Sequence, residues 1–252
     1  MTASSLTAIT LLVLLAVATA LWTAPRWLLG CLSKRSPRCV YMIPTGSKAV
    51  ALTLDDGPDP THTHDILRIL REHDARATFF LLSAHVRGNE ALVSSIVGGG
   101  HELGNHLTDD EPSHRLSPEA FSRAAREAGE LLERFGPVRW LRPGSAWHDS
   151  AMIDRIERAG YRCALGSVYP YDPYVPFVRL ASAYILANVR PGAVIVLHER
   201  GGRGRRTART LRRVLPVLRT RGYRVLSLSG LDELARSPTG VDRSARGAND
   251  RA

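Results

Sequence analysis

The feature that most restricts what this chain can fold into is a regular alternation of short apolar runs and amphipathic, helix-length segments. It runs from about residue 48 to residue 236. Ala49–Leu54, Ala77–Leu82, Glu102–Asn105, Trp140–Arg142, Arg162–Leu165, Val194–Leu197 and Arg224–Leu228 read as strands. Between them Thr63–His73, Asn89–Val97, Ser117–Phe135, Asp149–Ala159, Phe177–Asn188 and Thr207–Arg221 carry apolar residues at helical spacing, as at Leu211, Val214, Leu215 and Leu218. Gly136, Gly160 and Gly222 stand where three of these helices should stop. Strand and helix in strict alternation build a parallel sheet, because each crossover helix returns the chain to the same end. The expectation is an α/β fold, a distorted parallel (β/α) barrel closed or nearly closed. Functional residues should then gather at the carboxyl ends of its strands.

With 44% apolar residues in 252, the chain can bury one such core. It divides into a membrane segment at 1–30, a linker at 31–47, the barrel domain at 48–236 and a polar tail at 237–252 that should be disordered. Ser5 to Trp22 is free of charge and close to the roughly twenty apolar residues a bilayer requires. No basic stretch precedes it, so an uncleaved single-pass anchor is preferred, with a signal cleaved after Ala18-Thr19-Ala20 as the alternative. Arg26, Lys34, Arg35 and Arg38 follow, which by the positive-inside rule would keep the domain cytoplasmic, whereas work on extracellular sugar needs the reverse.

Net charge is +10, yet the basic residues are nearly all arginines scattered along helices, and no aromatic-basic motif accompanies them, so nucleic acid is not an expected partner. Cys31, Cys39 and Cys163 form an odd set without C-x-x-C spacing, so neither a disulfide framework nor a cysteine zinc site is expected.

Polar residues do collect at the predicted strand ends: Asp55-Asp56 after the first, His106 and Asp110 after the third, Arg142 after the fourth and His198 after the sixth. Adjacent acids before Gly57-Pro58 read equally well as a turn. They gain chemical meaning beside His106 and Asp110, since a strand end and a following loop can offer oxygen and imidazole ligands to one divalent cation.

Four stretches, LTLDDGPDP at Leu52–Pro60, GHELGNHLTDD at Gly100–Asp110, LRPG at Leu141–Gly144 and VIVLHE at Val194–Glu199, are followed by RGYRVLSLSGL at Arg221–Leu231. In this order they resemble the polysaccharide deacetylase family, also called the NodB-homology or carbohydrate esterase family four group, over Ser47 to Leu234. The resemblance implies a metal-dependent hydrolase that removes acyl groups from an N-acetylated amino sugar or a related acylamide. It implies Asp55 as general base, Asp56 and His106 as metal ligands and His198 as general acid, with Arg142 orienting Asp55 and Asp172 orienting His198. The cofactor would be a divalent ion, zinc by default, with manganese or cobalt as alternatives. The alternative function is a catalytically silent carbohydrate- or metal-binding module on the same fold.

Two departures stand out. The family has a second metal histidine four residues after the first, where this chain has Asp110, which becomes the expected third ligand. Its extra negative charge moves metal preference from zinc toward harder ions. The family's R-P-P-Y turn is replaced by Arg142-Pro143-Gly144-Ser145-Ala146-Trp147, which leaves the oxyanion donor unassigned. Tyr169, Tyr171 and Trp147 are candidates for stacking on a sugar ring or for ordinary packing. His62, His64, His101, His114 and His148 are read as structural or solvated residues outside the site.

Overall fold

A computed structural model describes residues 3–22, 31 and 33–237. Eight strands make one sheet: β1 (Cys39–Val40), β2 (Ala49–Gly57), β3 (Thr78–Leu81), β4 (Glu102–Asn105), β5 (Val138–Leu141), β6 (Arg162–Ala164), β7 (Val194–His198) and β8 (Arg224–Leu226). The order is β1-β6-β5-β4-β3-β2-β7, and every ladder is parallel. β8 pairs with the amino-terminal half of β2, where Ala51 is flanked by Val194 on one side and Leu226 on the other. The sheet curls on itself without a full ladder between its ends. Isolated bridges, Val168 to Ile195 and Met42 to Ala193, span that gap, so the barrel is nearly closed, as the alternation implied.

In chain order the described α-helices are α1 (Ala3–Trp22), α2 (Thr63–Glu72), α3 (Ser83–Val86), α4 (Glu90–Gly98), α5 (Pro118–Leu132), α6 (Ser150–Arg158), α7 (Val178–Asn188), α8 (Gly202–Thr220) and α9 (Leu228–Arg236). In α2 the stripe Ile66, Ile69 and Leu70 is fully buried and the helix packs against α8. Each such side chain contributes roughly 1.5–3 kcal/mol. Two caps match the residue types at their starts: Ser117 Oγ accepts from Ala120 N–H, and Asp149 Oδ1 accepts from Met152 N–H. β2 is buried at all nine positions, as befits a central strand covered on both faces.

Three elements depart from the sequence reading. β1 lies in the expected linker, and two residues carry no period to recognise. α3 is likewise too short for one. Leu228, read as the end of a strand, instead opens α9, which Ser227 caps by accepting from Gly230 N–H.

The polar tail expected at 237–252 lies outside the described residues beyond Ser237, as do residues 1, 2 and 23–30 of the expected membrane segment. Helix α1 carries no charge and exposes Leu6, Ile9, Leu11, Leu12, Val13 and Leu14. Among the described residues no helix is long and apolar enough to cross a membrane. The expected span includes side chains outside the described set.

Candidate active site

Parallel topology sends all strand ends to one rim, and the site is built there. Asp55 and His198 are register partners on β2 and β7. Neighbouring strands lie about 4.8 Å apart, and residues level with each other share a face, so the carboxylate and the imidazole stand side by side.

Asp55 is held by Arg142, whose Nη1 donates to it at 2.5 Å and to Thr53 Oγ1 at 2.8 Å. The same guanidinium donates from Nε to the Ala164 carbonyl at 3.0 Å and from Nη2 to the Leu165 carbonyl, and lies 4.1 Å over the Phe80 ring. Both partners of the pair are buried. A buried charge is tolerable only when so paired, and here four acceptors hold the fork in one orientation. Arg142 thus fixes the direction of the Asp55 carboxylate.

His198 Nδ1 lies 3.1 Å from both Asp172 oxygens, and Asp172 Oδ2 also accepts the His198 backbone N–H at 3.0 Å. The ring therefore carries its Nδ1 proton toward Asp172, leaving Nε2 for the pocket that His198 lines. Burial disfavours the imidazolium, but Asp172, and then the charges of Asp55 and Asp56, outweigh it and hold the pKa above the ordinary histidine value.

The wall formed by Asp56 and His106 is built differently. Asp56 sits at an irregularity where β2 shifts register against β3, with φ 73°. That conformation costs an aspartate about 1–3 kcal/mol and turns its side chain out of the ladder. His85 Nδ1, 3.0 Å from the Asp56 carbonyl, braces the backbone there. Asp56 Oδ1 is 3.4 Å from His106 Nε2, while His106 Nδ1 donates to the Arg142 carbonyl at 2.7 Å.

Asp56 Oδ2 is 3.0 Å from Arg203 Nη1, yet the guanidinium is not aligned to donate, so this buried oxygen has no hydrogen bond. Arg203 reaches on to Asp110 Oδ2 at 3.3 Å. Burial raises the Asp56 pKa, but His106 first, then His198 and Arg203, bring it down to about 2. Burial opposes protonation of His106, and Asp56 with Asp55 overcomes it, so its pKa is raised.

Asp56 Oδ2 without a donor and His106 Nε2 freed by its second-nitrogen bond are the oxygen and nitrogen that a divalent cation takes. The donor set fits such an ion. Asp110 joins it only across Arg203, and among the described residues no three His, Cys, Asp or Glu side chains converge as a ready-made metal site.

A cavity of about 520 Å³ brings Asp55, Asp56, His106, Asp110, Arg142 and His198 together. Tyr169 and Tyr171 line it, whereas Trp147 stands 57% exposed with its ring against His114 and does not. Tyr41, Ser145, His148, Tyr174 and Arg203 also line it, and sequence reasoning missed them. His148 Nε2 lies 3.3 Å from Tyr41 Oη and 3.1 Å from Ser36 Oγ, so a histidine read as solvated belongs to the pocket wall. His101 is structural as expected. Its Nδ1 accepts the Ala77 N–H at 3.2 Å, and burial, with Arg76 nearby, lowers its pKa to about 4.

The turn chemistry of Asp-Asp-Gly-Pro-Asp resides in its last aspartate. Asp59 accepts from the N–H groups of Thr61 and His62 and, through Oδ2, from Gly201 N–H, which ties the loop after β2 to the loop after β7. Glu199, next to His198, is fully buried with Oε1 accepting from the Thr63 hydroxyl, and burial pushes its pKa well above the carboxylate range. A Cβ on Gly57 would lie 1.4 Å from Glu199 Oε1, so the glycine is required by that neighbour.

A buried carboxylate and a histidine side by side, near an oxygen-and-nitrogen donor pair, are the kinds of group that a hydrolase centre uses. The model of the family described as polysaccharide deacetylase matches residues 43–164. A peptidoglycan-N-acetylglucosamine deacetylase of Bacillus cereus is 32% identical over 194 residues, 76% of this chain and 91% of that protein. A chitooligosaccharide deacetylase of Sinorhizobium fredii is 31% identical over 198 residues, 73% and 92% of the two chains. A crystal structure of a peptidoglycan N-acetylglucosamine deacetylase, in complex with a naphthalenyl N-oxidanyl-benzamide, is similar with TM-score 0.73 and 26% identity, covering 78% of this chain and 93% of that one. The chain belongs to the polysaccharide deacetylase family. It is a carbohydrate deacetylase, a hydrolase of C–N amide bonds in N-acetylated sugars.

Proposed function

We propose that Asp55 is the general base and His198 the general acid of acetyl removal from an N-acetylglucosamine-containing glycan. Support comes foremost from one observation: these two residues are register partners on adjacent strands, each with its own buried charged partner. Asp55, aimed by Arg142, takes the proton of the attacking water, and His198 Nε2 delivers a proton to the amine that leaves. Asp172 keeps the imidazole in the tautomer and orientation for that delivery. Tyr169, Tyr171 and Tyr174 offer ring faces along the cavity for a sugar. The curated relatives act on peptidoglycan and on chitooligosaccharides by name, and either glycan suits an open cavity of this size.

Asp56 and His106 would hold the divalent cation, with Asp110 as third ligand once Arg203 swings aside. When bound, a cation supplies Lewis-acid activation of water and of the acyl carbonyl. Zinc is the first ion to test, with manganese and cobalt next because two anionic oxygens would face it. The amino-terminal helix would associate with a membrane, supported by its charge-free sequence and exposed leucines. Fractionation should then place the full chain with membranes and residues 33–236, which keep β1, in the soluble pool.

Acetate release decides the central reading. The full chain with each metal should liberate acetate from N-acetylglucosamine oligomers or from peptidoglycan. No release from either, with metal demonstrably bound, would remove an N-acetylglucosamine-containing glycan as the substrate on which Asp55 and His198 act.

A further inference from the structure

We propose that Cys39 and Cys163 form a disulfide that fastens the chain leaving the amino-terminal segment to the edge of the barrel, and that the catalytic domain therefore folds in an oxidising compartment. The two residues are register partners on the parallel neighbours β1 and β6. Adjacent strands lie about 4.8 Å apart, inside the Cα separation that a disulfide spans. Level residues point to the same face, and here the two sulfurs lie 3.1 Å apart. Both side chains are buried free thiols in this structure, and the third cysteine, Cys31, is exposed. The odd set therefore resolves into one pair and one single thiol, which spacing alone could not reveal across 124 positions.

Buried thiols also occur as plain packing groups. What separates this pair is its place. β1 is an edge strand whose ladder to the sheet is two residues long. Cys163 immediately precedes Ala164 and Leu165, whose carbonyls accept from Arg142. A bond there pins a strand that backbone pairing alone holds weakly, and steadies the strand end that orients Arg142 on Asp55. It closes a long loop, the case in which a cross-link most restricts the unfolded chain.

The chemistry balances with a disulfide-bonded thiol oxidoreductase as oxidant. The Cys39 thiolate attacks the carrier's disulfide and releases one carrier thiolate. Cys163, losing its proton, then attacks the Cys39 sulfur of the mixed disulfide and releases the second. Two electrons reduce the carrier, and two protons leave the protein to make it a dithiol. Such bonds persist outside the reducing cytoplasm. A Cys39–Cys163 bond would therefore put the catalytic domain outside the reducing cytoplasm, against the side favoured by the basic flank at Lys34, Arg35 and Arg38.

The experiment uses the full chain, produced in a host that exports it, unfolded and alkylated without reductant, digested and weighed. A Cys39–Cys163 linked peptide, two hydrogens lighter than the sum of its parts, is expected. Alkylation of both residues, or a link from either to Cys31, overturns the proposal. Reductant should lower the melting temperature of the exported protein by roughly 5–10 °C and leave a Cys39→Ala, Cys163→Ala double variant unmoved. An equal melting temperature of the wild type with and without reductant also overturns it. Should the double variant not fold, the mass of the wild-type peptide decides alone. Neither readout involves acetate, so failure here is distinct from failure of the deacetylase assignment.

Discussion

The two walls of the pocket reach electrical balance by different means. On the acid–base wall each charge has a private, aligned partner: Arg142 for Asp55, Asp172 for His198. On the other wall Arg203, from the first turn of α8, lies between two carboxylates without aligning on Asp56, whose Oδ2 is left bare. The first wall is complete within the polypeptide, so its groups are orientated before substrate arrives. The second sets Asp56 and Asp110 against His106 and one partly exposed arginine, and it is here that a cation is proposed to bind. Preorganisation and exchangeability would thus divide between two groups of residues in one cavity.

The sharpest way to break this division is Asp55→Asn. Turnover should fall by roughly 10³–10⁴-fold, the upper range for a lost general base, while elemental analysis finds wild-type metal content. Metal lost along with activity would show that the two walls are one. His198→Ala should lower kcat by roughly a hundredfold or more with the fold intact by circular dichroism; unchanged kcat places the proton donor elsewhere.

On the metal side, Asp110→Ala should weaken metal binding by roughly tenfold in calorimetry, and Asp110→His should restore it with a different preference among zinc, manganese and cobalt. An unaltered Kd would make Asp110 only a counter-ion for Arg203. Asp172→Asn refines the acid–base wall through pH. As the proposed acid, His198 would act in its protonated form, which is lost as pH rises through a pKa held above the ordinary value. Removing the main partner that raises it should move the alkaline limb of the kcat profile toward lower pH, and a limb that does not move would detach Asp172 from the acid. The smallest effect belongs to Arg203→Gln, which should tighten metal binding by roughly two- to fivefold, the scale of a partly exposed ion pair. Weaker binding in that variant would mean that Arg203 supports the site rather than competing for it.

Much of this was determined by the sequence alone. Periods of two and near four residues are local properties, so seven strands and six helices could be read from them. Once the strands are parallel, Asp55, Asp56, His106, Arg142 and His198 must meet, because every carboxyl end reaches the same rim. The orienting role proposed for Asp172 was available only through family resemblance, since an aspartate before Pro173 is also an ordinary turn residue. Tertiary structure decided the rest. Arg203 is one basic residue in a run of them until packing carries it 93 positions back to Asp110. Trp147 and His148 are adjacent, yet the turn of Ser145 and Ala146 through positive φ precedes a tryptophan left in solvent and a histidine in the wall. Cys39 found Cys163 through a two-residue strand with no period of its own. Each of these depends on register and loop path between distant segments, and no local repeat along the chain encodes which side chains those paths bring together.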